Sequence, residues 1–170
     1  MKLKKEAVLF SLIVVPILLY ILFLYFPEDT PTTFVTNRTV ETRSNFLYNY
    51  EIIKYPTAVE IINVNVEEKA KIGIVTDPWN LNFGIIPGNG SSVKRQINVN
   101  NLKSGDAKIM LRVYGNIKPF VVFSKNDFIL KKDESQSIDV IFISGNSTRG
   151  NYTGEVQIII QRSKIDFSQG

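Results

Sequence analysis

Beyond residue 57 the chain alternates apolar and polar residues with a period of two. Ile62, Val64 and Val66 alternate with Asn63 and Asn65, and Ile72 and Ile74 follow. The pattern continues through Leu81 and Phe83, then Val93, Ile97 and Val99, then Ile109, Leu111 and Val113. Ile138, Val140 and Phe142 form the next run, and Val156, Ile158 and Ile160 the last. Alternate side chains of a strand point to opposite faces, so each run predicts a strand with one apolar face. Turn formers separate the runs: Asp77-Pro78, Pro87-Gly88-Asn89-Gly90, Lys103-Ser104-Gly105-Asp106, Lys118-Pro119, Lys131-Lys132-Asp133-Glu134 and Gly145-Asn146. This predicts an all-β domain over residues 58–165 with seven or eight short strands and a tail at 166–170. Two such sheets must cover each other's apolar faces, which gives a sandwich.

The beginning of the chain has a different pattern. From Ala7 to Phe26 no residue is charged, and only Ser11 and Pro16 interrupt the apolar run. Twenty helical residues span about 30 Å, the thickness of a hydrocarbon core. Lys2, Lys4 and Lys5 precede the run, while Pro27, Glu28 and Asp29 follow it. The positive-inside bias then predicts a single-pass signal-anchor in the cell membrane, with residues 1–6 cytoplasmic and everything after residue 26 extracytoplasmic. A cleaved signal peptide is the rival reading, although the apolar run is long for one and no small-x-small site follows it. A prepilin-type cut before the run is a third, and Lys4-Lys5-Glu6 lacks the small residue that such a cut follows.

Residues 27–57 read as a membrane-proximal linker. Its first part, PEDTPTTFVTNRT, is rich in Pro and Thr and disfavours helix. Further on, Phe46, Tyr48 and Tyr50 stand at two-residue spacing, which predicts an extra strand at the core or an edge. The alternative is an aromatic strip at Tyr48 and Tyr50 that binds a partner.

The segment LNFGIIPGNGSSVKRQINVNN (Leu81–Asn101) resembles the opening of the immunoglobulin-like domains grouped with major sperm protein, the pilus chaperones and the abnormal-spindle/hydin repeats. FILKKDESQSIDVIF (Phe128–Phe142) and GNYTGEVQIII (Gly150–Ile160) resemble their final strands. The resemblance covers residues 59–162 and implies an immunoglobulin-like sandwich. Members of that group serve as scaffolds, adhesion modules, filament parts and chaperones, so fold alone assigns no binding residue.

Composition narrows the chemistry. The chain contains no His and no Cys. That excludes Ser-His-Asp and Cys-His nucleophile systems and zinc sites of the usual kind, and the core must suffice without disulfides. The acids fall singly in turns, at Asp77, Asp106, Asp127 and Asp133, and no calcium-loop spacing occurs. Gly88-Asn89-Gly90-Ser91-Ser92 lacks the ending of a phosphate loop and reads as a hairpin turn. The net charge is +4, half of it from Lys2, Lys4 and Lys5 set against Glu6, and no basic cluster points to nucleic acid. No catalysis, cofactor or metal is expected.

Asn37, Asn89, Asn146 and Asn151 each begin an Asn-x-Ser/Thr sequon, so glycosylation at one or more is an expectation. Trp79, the only tryptophan, is expected to pack beside Leu81 and Phe83. Its alternative is an exposed anchor of a protein contact, as tryptophan often is. The last strand, GEVQIIIQRSK, is expected inside a sheet, with strand addition at an exposed edge as the alternative. The leading functional expectation is a surface module making protein–protein contacts in a cell-envelope or appendage assembly. The alternative is a chaperone-like assembly factor that presents a sheet edge to client strands.

Overall fold

The computed structural model describes residues 10–20, 30–63, 79–88, 90–145 and 149–164. Within them the chain is predominantly β, with nine strands in two sheets. The strands are β1 (Thr39–Ser44), β2 (Tyr48–Ile62), β3 (Leu81–Pro87), β4 (Ser92–Asn100) and β5 (Ala107–Gly115), followed by β6 (Val121–Phe123), β7 (Phe128–Leu130), β8 (Ser135–Ile143) and β9 (Gly150–Ser163). The larger sheet has the order β1-β2-β9-β5-β7, with β3 also pairing β2, and the smaller has the order β4-β8-β6. From β4 onward successive strands alternate between the two sheets. Both sheets therefore draw on the same stretch of sequence and share one core.

That core is built from the predicted alternations. Ile97 and Val99 of β4, Ile109, Leu111 and Val113 of β5, Ile138, Val140 and Phe142 of β8, and Val156, Ile158 and Ile160 of β9 are all buried in one cluster. Phe83 of β3 meets Phe142 of the opposite sheet with ring centroids 5.6 Å apart, and Phe120 lies 5.6 Å from the same ring. Such tilted aromatic pairs contribute packing beyond their buried area. The expected turns at Lys103–Asp106, Lys118-Pro119 and Lys131–Glu134 all fall between strands. The runs at 64–66 and 72–74 and the Asp77-Pro78 turn lie outside the described residues.

The strand expected near residues 46–52 and the start of the run expected from residue 58 form a single fifteen-residue strand, β2. The boundary expected at residues 57/58 falls inside it. Proline rarely sits inside a sheet, yet Pro56 stands in the middle of this strand. Its position resolves the conflict. On one edge of β2, β1 pairs only as far as Lys54 and β3 begins pairing at Thr57. Pro56 occupies the gap between them, where β2 has no paired strand on that side among the described residues.

The last strand lies at the centre of the larger sheet, paired with β2 on one side and β5 on the other. It presents no edge, as its expected sheet membership requires. Where β5 and β9 meet at Gly115↔Gly154, a side chain has no room. A Cβ on Gly154 would collide with the Tyr114 carbonyl and come within 2.7 Å of Ile117. Gly115 has φ +95, and the ring of Phe34 lies 3.1 Å from where its Cβ would be.

Residues 10–20 are helical. Among the described residues no helix is long and apolar enough to cross a membrane. The remainder of the predicted span, 7–9 and 21–26, lies outside them.

Candidate contact surface

Residues 30–38 run over the outer face of the larger sheet before β1 begins. This strap is fastened by a buried carboxylate. The Val35 N–H donates to Glu155 Oε2 at 3.0 Å, and Gln157 Nε2 donates to Glu155 Oε1 at 2.6 Å. Glu155 is fully buried, and burying a carboxylate is tolerable only when such donors replace water.

The strap ends at Arg38, beside the gap where β2 changes neighbours. Arg38 Nε donates to the Tyr55 hydroxyl at 3.2 Å. Its guanidinium lies 5.6 Å from the Tyr55 ring centroid and 5.8 Å from that of Trp79, within cation–π range. Trp79 is 61% exposed, so it does not join Leu81 and Phe83 in the buried core. Those two are buried because β3 begins at Leu81. Trp79 sits in the turn before it, where the strand no longer dictates direction.

Next to this aromatic–guanidinium cluster is a cleft of about 530 Å³ between strap and sheet, lined by Phe34, Val35, Thr57, Asn80, Asn82 and Thr153 among others. Its lining is neutral and offers hydroxyl, amide and aromatic groups, which recognise a partner by hydrogen bonding and packing. The strand edge beside it is already occupied. Asn82 Oδ1 accepts the Gly84 N–H at 2.8 Å, and the Asn82 carbonyl accepts Arg95 Nε at 2.9 Å. The edge of β5 is filled likewise by Asn126, whose side chain pairs with both the N–H and the carbonyl of Leu111 at 2.7 and 3.1 Å.

The other candidate residues lie apart from this surface. Tyr50 is 4% exposed and packs with Ile52 and Ile159 on the outer face of the larger sheet. Its hydroxyl accepts Asn45 Nδ2 at 3.2 Å, and burial raises its pKa. Tyr48 is half-buried and meets Tyr50 edge-on at 6.2 Å. An exposed Tyr48/Tyr50 strip is therefore absent. Of the sequons, Asn37 is exposed in the strap and Asn151 is exposed at the start of β9. Asn89 and Asn146 lie outside the described residues. Among the described residues no group of three or more His, Cys, Asp or Glu could hold a metal ion.

Sequence reasoning missed Arg38. Its only signal is position: a lone arginine at the end of a Pro/Thr-rich stretch, one residue before a strand.

Comparison of the chain with protein-family models, with curated proteins and with solved structures finds no match.

Proposed function

We propose that this chain is a membrane-anchored, extracytoplasmic, immunoglobulin-like module that makes protein–protein contacts in a cell-envelope or surface-appendage assembly. The observation that carries the reading is Trp79, 61% exposed, braced by Arg38 and set beside a neutral cleft. Tryptophan and arginine are the residues most enriched at the energetic centres of protein interfaces.

The anchor is residues 7–26, with the N-terminus cytoplasmic. Its support is both the sequence and the helical part. From 10 to 20 the apolar side chains around the helix are exposed, from Leu19 at 49% to Phe10 at 70%, apart from Val14. A helix that is apolar all round needs an apolar surrounding, which a bilayer supplies.

Photo-crosslinking of the full chain in its native membrane tests the contact surface. A crosslinker placed at residue 79 should capture a discrete protein partner, and one placed at Val122, exposed on the smaller sheet, should not. Equal yields from both positions, or none from either, count against the reading.

A chaperone-like factor offering a sheet edge is the second reading. The strand it would use is β4, nine residues long and terminal in the smaller sheet. Lys94 and Arg95 on that strand are charges of the kind that discourage edge pairing, so the first reading is preferred.

A further inference from the structure

Among the described residues, β1 (Thr39–Ser44) ends the larger sheet and pairs with β2 alone. The turn that follows fixes which of its backbone groups face outwards. The Asn45 N–H donates to the Tyr48 carbonyl at 2.9 Å, so these two are a hydrogen-bonded pair, and the register alternates from there. Thr39, Glu41 and Arg43 therefore turn their N–H and C=O towards β2, whereas Val40, Thr42 and Ser44 turn theirs to the open edge. Those last three residues are exposed, Val40 at 48%. The other terminal strands are poorer edges. β6 and β7 have three residues each, and β4 carries the like charges Lys94 and Arg95 side by side.

We propose that β1 pairs with β1 of a second copy of this chain, antiparallel and centred on Thr42, joining two larger sheets into one. Only residues whose backbone groups point outwards bond across such an edge, so Thr42 must face Val40, Thr42 or Ser44 of the other copy. Charge chooses among these registers. Thr42 opposite Val40 sets Glu41 against Glu41, and Thr42 opposite Ser44 sets Arg43 against Arg43. Thr42 opposite Thr42 sets each Glu41 against an Arg43, at non-hydrogen-bonded positions where side chains come closest. That register also engages all three outward residues of both copies, giving about six main-chain hydrogen bonds. Those bonds carry the affinity, and the side chains select the register. Arg43 already touches Glu41 of its own strand at 3.4 Å, and Glu41 accepts Lys54 at 2.6 Å. The crossed contacts join that paired network and require no unpaired charge. A two-fold axis relating the strands stands normal to the sheet, so both copies turn the same face the same way. The strap, held to Glu155, lies on the outer face in each. Two chains anchored in one membrane can thus form the pair; this last point alone rests on the anchor proposed above.

The chain has no cysteine, so a single introduced thiol can link only to another copy. Thr42→Cys in the full chain in membranes, under mild oxidation, should give a disulfide-linked dimer, because facing Cα atoms of a hydrogen-bonded pair lie about 5.5 Å apart. Val40→Cys and Ser44→Cys should each stay unlinked alone, with like positions about 14 Å apart, and should link to each other when co-expressed. Association through the anchor alone would link the Val40→Cys and Thr42→Cys chains equally, which overturns the pairing and leaves the anchor standing. A Thr42→Cys link in chains that fractionate away from membranes would support the pairing and count against the anchor. Charge gives a second readout. Arg43→Glu and Glu41→Arg should each slow the Thr42→Cys link about fivefold, and the two variants mixed should recover it. Mixing would not repair a folding defect. No link at Thr42→Cys, or no recovery in the mixture, would overturn the proposal.

Discussion

Asn101 offers the sharpest test of how the polar interior is held. It is fully buried at the end of β4. Its Nδ2 donates to the carbonyls of Gly105 and Leu130 at 2.9 and 3.1 Å, and its Oδ1 accepts Arg162 Nε at 3.3 Å. One side chain thus ties the β4–β5 connection to β7 and to the central strand β9. Asn101→Ala removes three hydrogen bonds and leaves two carbonyls facing a void. At about 1 kcal/mol per bond the expected loss is about 3 kcal/mol. Asn101→Asp keeps the shape and the acceptor towards Arg162 but sets an oxygen against two carbonyls. It should cost at least as much, about 3 to 4 kcal/mol, despite being nearly isosteric. Urea unfolding of the full chain, followed by the circular dichroism of the sheets, measures both. With a slope of about 1.5 kcal/mol per molar, each variant lowers the midpoint by about 2 M with the slope unchanged. An Asp variant within about 1 kcal/mol of wild type would refute the donor assignment.

Other substitutions probe other parts of the fold. Gly154→Ala, forced against the Tyr114 carbonyl, should destabilise by about 3 kcal/mol in the same assay. Gly105→Ala, with φ +81 but open space around it, should cost only about 1 kcal/mol. Asn126→Ala uncovers the N–H and carbonyl of Leu111, beyond the stretch of β5 that β7 pairs, so light scattering should show concentration-dependent self-association beyond that of wild type. Glu51 has a folded pKa below its ordinary value of 4.5, held there by hydrogen bonds from Lys103 and Arg162. Its contribution is complete above that value and is lost as pH falls through the lowered one. Glu51→Gln should therefore be less stable than wild type at neutral pH, and the gap should close on acidification below pH 4.5. Peptide mass spectrometry of protein from a glycosylating native host should show modification at one or more of Asn37, Asn89, Asn146 and Asn151; all four unmodified would remove that expectation.

The strands most legible in the sequence were those with one wet and one dry face. Val99, Leu111 and Val140 each announce their strand by two-residue alternation, and each is buried where that pattern puts it. β2 was harder, because it is buried on different faces along its length. Tyr50 and Ile52 pack on the outer face of the larger sheet, whereas Val59 and Ile61 belong to the main core. Periodicity alone cannot show that both stretches are one strand, still less with Pro56 between them. The candidate surface was less legible than the fold. Trp79 was noticed as a residue, but its exposure depends on β3 starting two positions later. Arg38 matters only because the neighbour of β2 changes beside it, which is a fact of topology. The cluster of Glu51, Lys103 and Arg162 joins residues from distant parts of the chain and has no local signature.

The central pairing of the larger sheet sets an order of events in synthesis. β2 aligns with β9 from Tyr48↔Ser163 to Ile61↔Gly150. The middle of the sheet thus joins the second and the ninth of the described strands. Until β9 emerges, β2 and β5 have no partner between them, and the larger sheet cannot close. Closure of the larger sheet waits for β9, about a hundred residues after β2, and such long-range pairing is intrinsically slow. A nascent chain stopped before residue 150 would leave the apolar faces of β2 and β5 without their shared neighbour, open to proteases and to other chains.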